Sequence, residues 1–181
     1  MSVIVALRTP DGSCTWLGCD TQVSGGNLKQ EYGPKWLIHE GWAVGIAGHL
    51  RTVNLVEHQL GSLVRDLSDP YEFALRVREV MKADGYHGSE EEPGPLTLGG
   101  ALILARSDGA WVIEADFSIT PIAAGAAWAE GSGREVCMGA LHALLALGGS
   151  LAPGDIVRRA LDATMALEIN CGGRTWTHQL A

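Results

Sequence analysis

Three residues near the start of the chain, Ser2, Asp20 and Lys35, are of types suited to acyl transfer. Ser2 stands directly behind Met1 and opens the apolar run Val3-Ile4-Val5-Ala6-Leu7. Removal of Met1 leaves Ser2 with a free α-amine beside its own hydroxyl; retention of Met1 makes that nitrogen an amide and leaves no base there. An α-amine titrates at about 7.7–8.0, so a useful fraction is neutral near pH 7. It can take the hydroxyl proton directly or through a water, which activates the oxygen as a nucleophile. A neighbouring cation favours the neutral amine. Lys35 is the candidate cation, and Asp20 the carboxylate that holds it charged and in place. Gly48 ends an apolar run just before a helical pattern. Its N–H suits an oxyanion, because a glycine lets backbone approach a substrate closely. Ser132, between Gly131 and Gly133, offers a second hydroxyl at a strand-to-helix junction. Glu168 and Cys171 place a carboxylate and a small polarisable side chain at the end of another helix.

The elements that must position these groups follow from periodicity. Residues 2–8 and 14–19 flank Pro10-Asp11-Gly12 and predict a hairpin. Residues 21–33 are polar and glycine-rich and read as a loop. Residues 35–39 and 42–47 flank Glu40-Gly41 and predict a second hairpin. The spacing of Leu50, Val53, Val56, Leu60, Leu63 and Val64 predicts a helix over 50–64. A second helix begins near Asp69, with Pro70 just inside its start. Residues 84–97, with Glu90-Glu91-Glu92, read as an exposed loop. Strands are expected at 98–105, 110–116, 119–123 and 126–129. A helix follows Gly131-Ser132-Gly133 to about Leu147, another runs from Pro153 to about Glu168, and a last strand covers 174–180. Grouped strands and grouped helices predict an α+β protein with two packed sheets and helix pairs outside, a four-layer αββα sandwich.

Composition narrows the function classes. The 181 residues suit one domain over 1–181 with a sizeable core. A net charge of −8 argues against nucleic acid and anionic membrane surfaces as partners. No apolar run reaches transmembrane length, and the first residues lack the pattern of a signal peptide, so a cytoplasmic location is expected. Cys14, Cys19, Cys137 and Cys171 are scattered and read as reduced thiols. The histidines show no ligand spacing, so neither a metal nor a cofactor is expected. Cys19 reads as a small buried strand residue rather than a nucleophile.

Taken together, these motifs resemble the proteasome β-subunit family, most closely its bacterial HslV type, over almost the whole chain. Ser2-Val3-Ile4-Val5-Ala6-Leu7-Arg8 is similar to the mature family start. Gly18-Cys19-Asp20, Lys35 before Trp36-Leu37-Ile38, Ala47-Gly48 and Gly131-Ser132-Gly133 match family signatures in order. Glu168-Ile169-Asn170-Cys171-Gly172-Gly173 is similar to Asp-x-x-Ser-Gly-Gly, with Glu for Asp and Cys for Ser. Ser also replaces the usual Thr nucleophile; it lacks the methyl that restricts the rotamer but keeps the attacking oxygen. The resemblance implies an N-terminal-nucleophile (Ntn) hydrolase that cleaves peptide bonds through an acyl-enzyme on Ser2. Asp20 and Lys35 would tune it, Gly48 would hold the oxyanion, and Ser132, Glu168 and Cys171 would surround the amine. Gly33 and Ile46 would border the pocket for the side chain preceding the cleaved bond, favouring apolar groups. It further implies a ring homo-oligomer acting on peptides or unfolded protein, with an ATPase unfoldase ring as a possible partner. A small-amide Ntn amidase and a catalytically inactive assembly subunit remain as alternatives.

Overall fold

Side-chain alternation along β1 (Val3–Arg8) sets up the layers. Successive residues of a strand face opposite sides. Val3, Val5 and Leu7 pack with two later helices, while Ile4 and Ala6 pack between two sheets. A strand buried on both faces must be apolar throughout, which accounts for the run Val3–Leu7. The structure is a computed structural model that describes residues 2–25, 28–86 and 95–181. Met1 and the acidic run Glu90-Glu91-Glu92 lie outside the described residues.

In chain order the strands are β1, β2 (Thr15–Asp20), β3 (Gln22–Gly25), β4 (Leu28–Glu31), β5 (Trp36–His39), β6 (Trp42–Gly48), β7 (Gly100–Arg106), β8 (Gly109–Ile113), β9 (Ile119–Pro121), β10 (Ala127–Gly131) and β11 (Thr175–Leu180). The helices are α1 (Leu50–Val64), α2 (Pro70–Asp84), α3 (Arg134–Ala146) and α4 (Pro153–Leu167). One antiparallel sheet has the order β10-β1-β2-β11, and a second has the order β5-β6-β7-β8-β9. Ile4, Ala6, Leu17 and Cys19 of the first sheet meet Trp36, Ala43, Ala47 and Ile103 of the second. Val44, Ile46, Leu102 and Leu104 face the other way, onto Val56, Leu63, Phe73, Val77 and Met81 of α1 and α2. Cys137, Leu141, Val157, Ala160 and Leu161 of α3 and α4 close the opposite side over Val3, Val5 and Leu7. The result is the αββα sandwich.

The elements keep their expected order with small shifts at their ends. Helix α2 starts where capping predicts: the Asp69 side chain accepts the Tyr71 N–H at 2.9 Å and Pro70 follows it. The expectation of a loop over 21–33 needs correction, because β3 and β4 form an antiparallel hairpin there. Its polar, glycine-rich sequence carries little apolar alternation because the hairpin is held by polar contacts at its base. Gln22 N–H donates to Gly172 O at 3.0 Å, and Arg174 N–H to Thr21 Oγ1 at 2.7 Å. Arg174 Nε also reaches Glu31 Oε1 at 2.5 Å. Gly26 and Asn27 lie outside the described residues.

Candidate active site

Ser2 is carried by the first residue position ahead of β1, which is flanked by β10 and β2. Its backbone N–H donates to Ser132 Oγ at 3.1 Å, and Ser132 Oγ donates back to Ser2 O at 3.3 Å. Gly133 N–H also approaches Ser2 O, at 3.4 Å. These contacts depend on the Gly-Ser-Gly turn. Gly131 has a φ of 107°, and a Cβ there would collide with Ser2 O.

Beneath Ser2 lies a buried ion pair. Asp20 is fully buried at the end of β2. Its Oδ1 accepts the Val3 N–H at 2.8 Å and Lys35 Nζ at 2.5 Å, and its Oδ2 accepts the Gly172 N–H at 3.1 Å. Lys35 Nζ donates also to Asp20 O at 2.6 Å. A carboxylate with three donors can stay ionised inside a protein; without them, burial of its charge would be prohibitive. Because Val3 N–H and Lys35 Nζ share one oxygen, the ammonium is held against the backbone next to Ser2. Cys19 packs between the sheets and its sulfur accepts the Lys35 N–H at 3.2 Å. Burial pushes the Cys19 thiol up to about 11, so it is a neutral thiol at pH 7.

The turn after α4 supplies the remaining candidates. Cys171 is buried, with its sulfur 4.0 Å from Ser132 Oγ. Burial, followed by the charge of Asp20, raises its thiol to about 11. Glu168 does something different: its Oε1 accepts Asn170 N–H at 3.0 Å and Asn170 Nδ2 at 2.8 Å. Its polar contacts fold the 168–171 turn, which in turn presents the Gly172 N–H to Asp20. The structure therefore brings Ser2, Asp20, Lys35, Ser132 and Cys171 into one contact network, whereas the Glu168 carboxylate, expected beside the amine, is bonded to Asn170 instead.

Gly48 adjoins this network from the second sheet. Ile46 N–H donates to Lys35 O at 3.2 Å, whereas His49 N–H donates to Gly99 O at 3.1 Å. Donor direction alternates along a strand, so Gly48 N–H points to the Ile46 side, past the start of β5 and toward Lys35. The close approach of β7 requires glycine here, because a Cβ on Gly48 would lie 2.8 Å from Gly99 O and 3.0 Å from Gly100 Cα.

A cavity of about 280 Å³ opens between these groups and α1. Ser2, Lys35 and Gly48 border it together with Val23, Tyr32, Leu37, Ile46, Leu50 and Val53. Gly33 is not among the bordering residues; its neighbours Tyr32 and Pro34 are. Sequence reasoning passed over Ser24 and Glu57, which also border the cavity. Ser24 lay in a segment read as loop. Glu57 looks like any exposed acid on a helix, and only its spacing from Leu50 and Val53 marks the shared face. Among the described residues no group of three or more His, Cys, Asp or Glu side chains could hold a metal ion.

No protein-family model and no curated protein sequence matches the chain. Solved structures do. Thiobacillus denitrificans BPH superimposes with a TM-score of 0.81 at 17% identity, over 99% of this chain and 98% of that one. The fold is that of the proteasome and HslV subunits. Thiobacillus denitrificans BPH in complex with epoxomicin gives 0.78 at 17% identity, over 99% of each chain. Eukaryotic HslV from Trypanosoma brucei gives 0.71 at 18% identity, over 98% of each. In this proteasome/HslV-like fold the described residues include no helix long and apolar enough to cross a membrane.

Proposed function

We propose that the chain is a proteasome-like Ntn peptidase, acting as one domain over residues 1–181, whose nucleophile is Ser2 after removal of Met1. The observation that carries this reading is the buried Asp20–Lys35 pair tied to the backbone next to Ser2, at the mouth of a cavity. A free Ser2 amine beside the Lys35 charge is biased toward its neutral, basic form. Ser2 Oγ attacks the peptide carbonyl while its proton passes to the amine. Gly48 N–H stabilises the oxyanion of the tetrahedral intermediate. The amine then returns the proton to the departing nitrogen, the C–N bond breaks, and an ester on Oγ remains. Water, deprotonated by the same amine, releases the acid and restores Ser2. The likeness to BPH bound to epoxomicin and to HslV supports the peptidase class. Assembly into a homo-oligomeric ring in the cytoplasm, fed by an ATPase unfoldase, belongs to the same proposal.

Two measurements test it in sequence. The intact mass of protein expressed without an N-terminal tag should lack one methionine. That material should hydrolyse a fluorogenic peptide, and Ser2→Ala should abolish turnover while leaving circular dichroism and thermal melting intact. Hydrolysis of small amides but not peptides would replace the reading with an amidase. A retained Met1, with full assembly and no turnover, would replace it with a structural subunit.

A further inference from the structure

Glu57 gives the cavity beside Ser2 a charged end. It is the carboxylate among the described residues that border the cavity, whose walls are otherwise largely the apolar side chains of Val23, Leu37, Ile46, Leu50 and Val53. Leu50, Val53 and Glu57 lie three and four residues apart on α1 and so share one face. At 1.5 Å per residue, Glu57 stands about 10 Å further along the helix axis than Leu50. Leu50 follows Gly48 by two residues, so Glu57 lies on the part of α1 further along from the Gly48 end of the cavity.

The nearby cations are otherwise engaged. Lys35 Nζ is held by Asp20. Arg51, which borders an adjoining depression with Glu57 and His58, is bonded through Nε and Nη2 to Asp84 Oδ2 at 3.1 and 2.5 Å. Glu57 makes no ion pair among the described residues. An apolar shaft with an acid at its far end fits a side chain built the same way in reverse. Lys and Arg lay their methylene stems along apolar surface and keep the charge at the tip, and the Arg fork bonds a carboxylate through two N–H groups.

We propose that Glu57 makes this cavity a subsite for Lys or Arg at the residue whose carbonyl Ser2 attacks. The proposal rests on the peptidase reading and names the substrate class of that site. The apolar preference expected from sequence describes the walls; Glu57 describes the end. Because Glu57 is solvent-exposed, water screens the pairing, and the preference for a cation over a neutral side chain of equal length is about two- to fivefold.

The test uses Met1-free protein and peptides identical except for Arg, Lys, norleucine, Leu or Glu before the scissile bond. The expected kcat/KM for Arg and Lys exceeds that for norleucine about two- to fivefold. Glu57→Gln brings the ratio near one, and Glu57→Lys moves the preference to Glu. A norleucine or Leu preference that Glu57→Gln leaves unmoved overturns the subsite while the peptidase reading stands. Calorimetric binding of capped Arg and norleucine dipeptide amides to Ser2→Ala protein reads the cavity without turnover. A Glu57-dependent Arg preference there, with no turnover by the wild type, keeps the cation subsite and overturns the peptidase reading. Equal binding of both amides overturns the subsite.

Discussion

The floor beneath Ser2 and the wall of the cavity beside it are built on opposite principles. The floor is polar, buried and tied by hydrogen bonds: Asp20 takes three donors and Lys35 directs its charge at that one residue. The wall is apolar and open, and its one acid is unpaired among the described residues. A buried pair tolerates no single change, because the surviving partner becomes an orphan charge. An open apolar wall accepts changes of size and charge and converts them into a change of substrate. In the proposed mechanism, chemistry falls to the floor and selectivity to the wall, and Ser2, Lys35 and Gly48 border both.

Substitutions can break that division in a graded order. Lys35→Met should have the largest effect. It strands Asp20 in the core and should cost about 3–5 kcal/mol of stability, seen as a much lower urea midpoint, together with loss of peptide turnover. Normal stability in this variant would mean that Asp20 does not depend on Lys35 for its burial. Gly48→Ala comes next, since the new Cβ meets backbone rather than a side chain that can swing away. About 1–3 kcal/mol of destabilisation is expected, with turnover reduced further than stability alone accounts for.

Ser132→Ala should be milder. It removes the two neutral hydrogen bonds that Ser132 Oγ makes to Ser2 N–H and Ser2 O, each worth about 1 kcal/mol. The outcome to look for is a roughly five- to tenfold fall in kcat with KM little changed. A shift in KM alone would place Ser132 with the wall. The smallest effect concerns the thiols. Cys19 and Cys171 both titrate at about 11, so at pH 8 only roughly one part in a thousand is thiolate. Iodoacetamide should label them far more slowly than free cysteine at pH 8. The labelling rate should climb about tenfold per pH unit while the fold persists, because a raised pKa delays thiolate formation as pH rises. Fast labelling at pH 7 would show that the floor is open to water.

Much of this division was legible in the chain. Strand alternation and helical spacing predicted the order of elements, because both faces of β1 and the inner faces of α1 and α2 are dictated by apolar burial. The β3–β4 hairpin was not legible, since its anchors are polar bonds to residues 172–174 that no local pattern announces. Asp20 and Lys35 stood out by type and position. That Asp20 would also accept the Gly172 N–H follows only from the pairing of β2 with β11. Glu168 illustrates the converse: a suggestive carboxylate at a helix end is drawn to its own turn by Asn170, two residues away. Glu57 stayed hidden because an exposed acid on a helix is the commonest of surface residues, and only the tertiary fold turns its face to a cavity.

The pairing of β1 has a consequence for synthesis. Val3 lies opposite Gly131, and Asp20 opposite Thr175. On the ribosome the β1–β2 hairpin emerges first, yet the strands that complete its sheet are translated only after the whole second sheet and its helix pair. Contacts so distant along the chain form late. A growing polypeptide therefore carries Ser2 through most of translation without Ser132 to meet its nitrogen or Gly172 to satisfy Asp20. Ser2, Asp20, Lys35 and Gly48 are thus made early, while the residues that fix Ser2 N and Asp20 Oδ2 arrive late, so the proposed site gains its final geometry only when the chain is nearly complete.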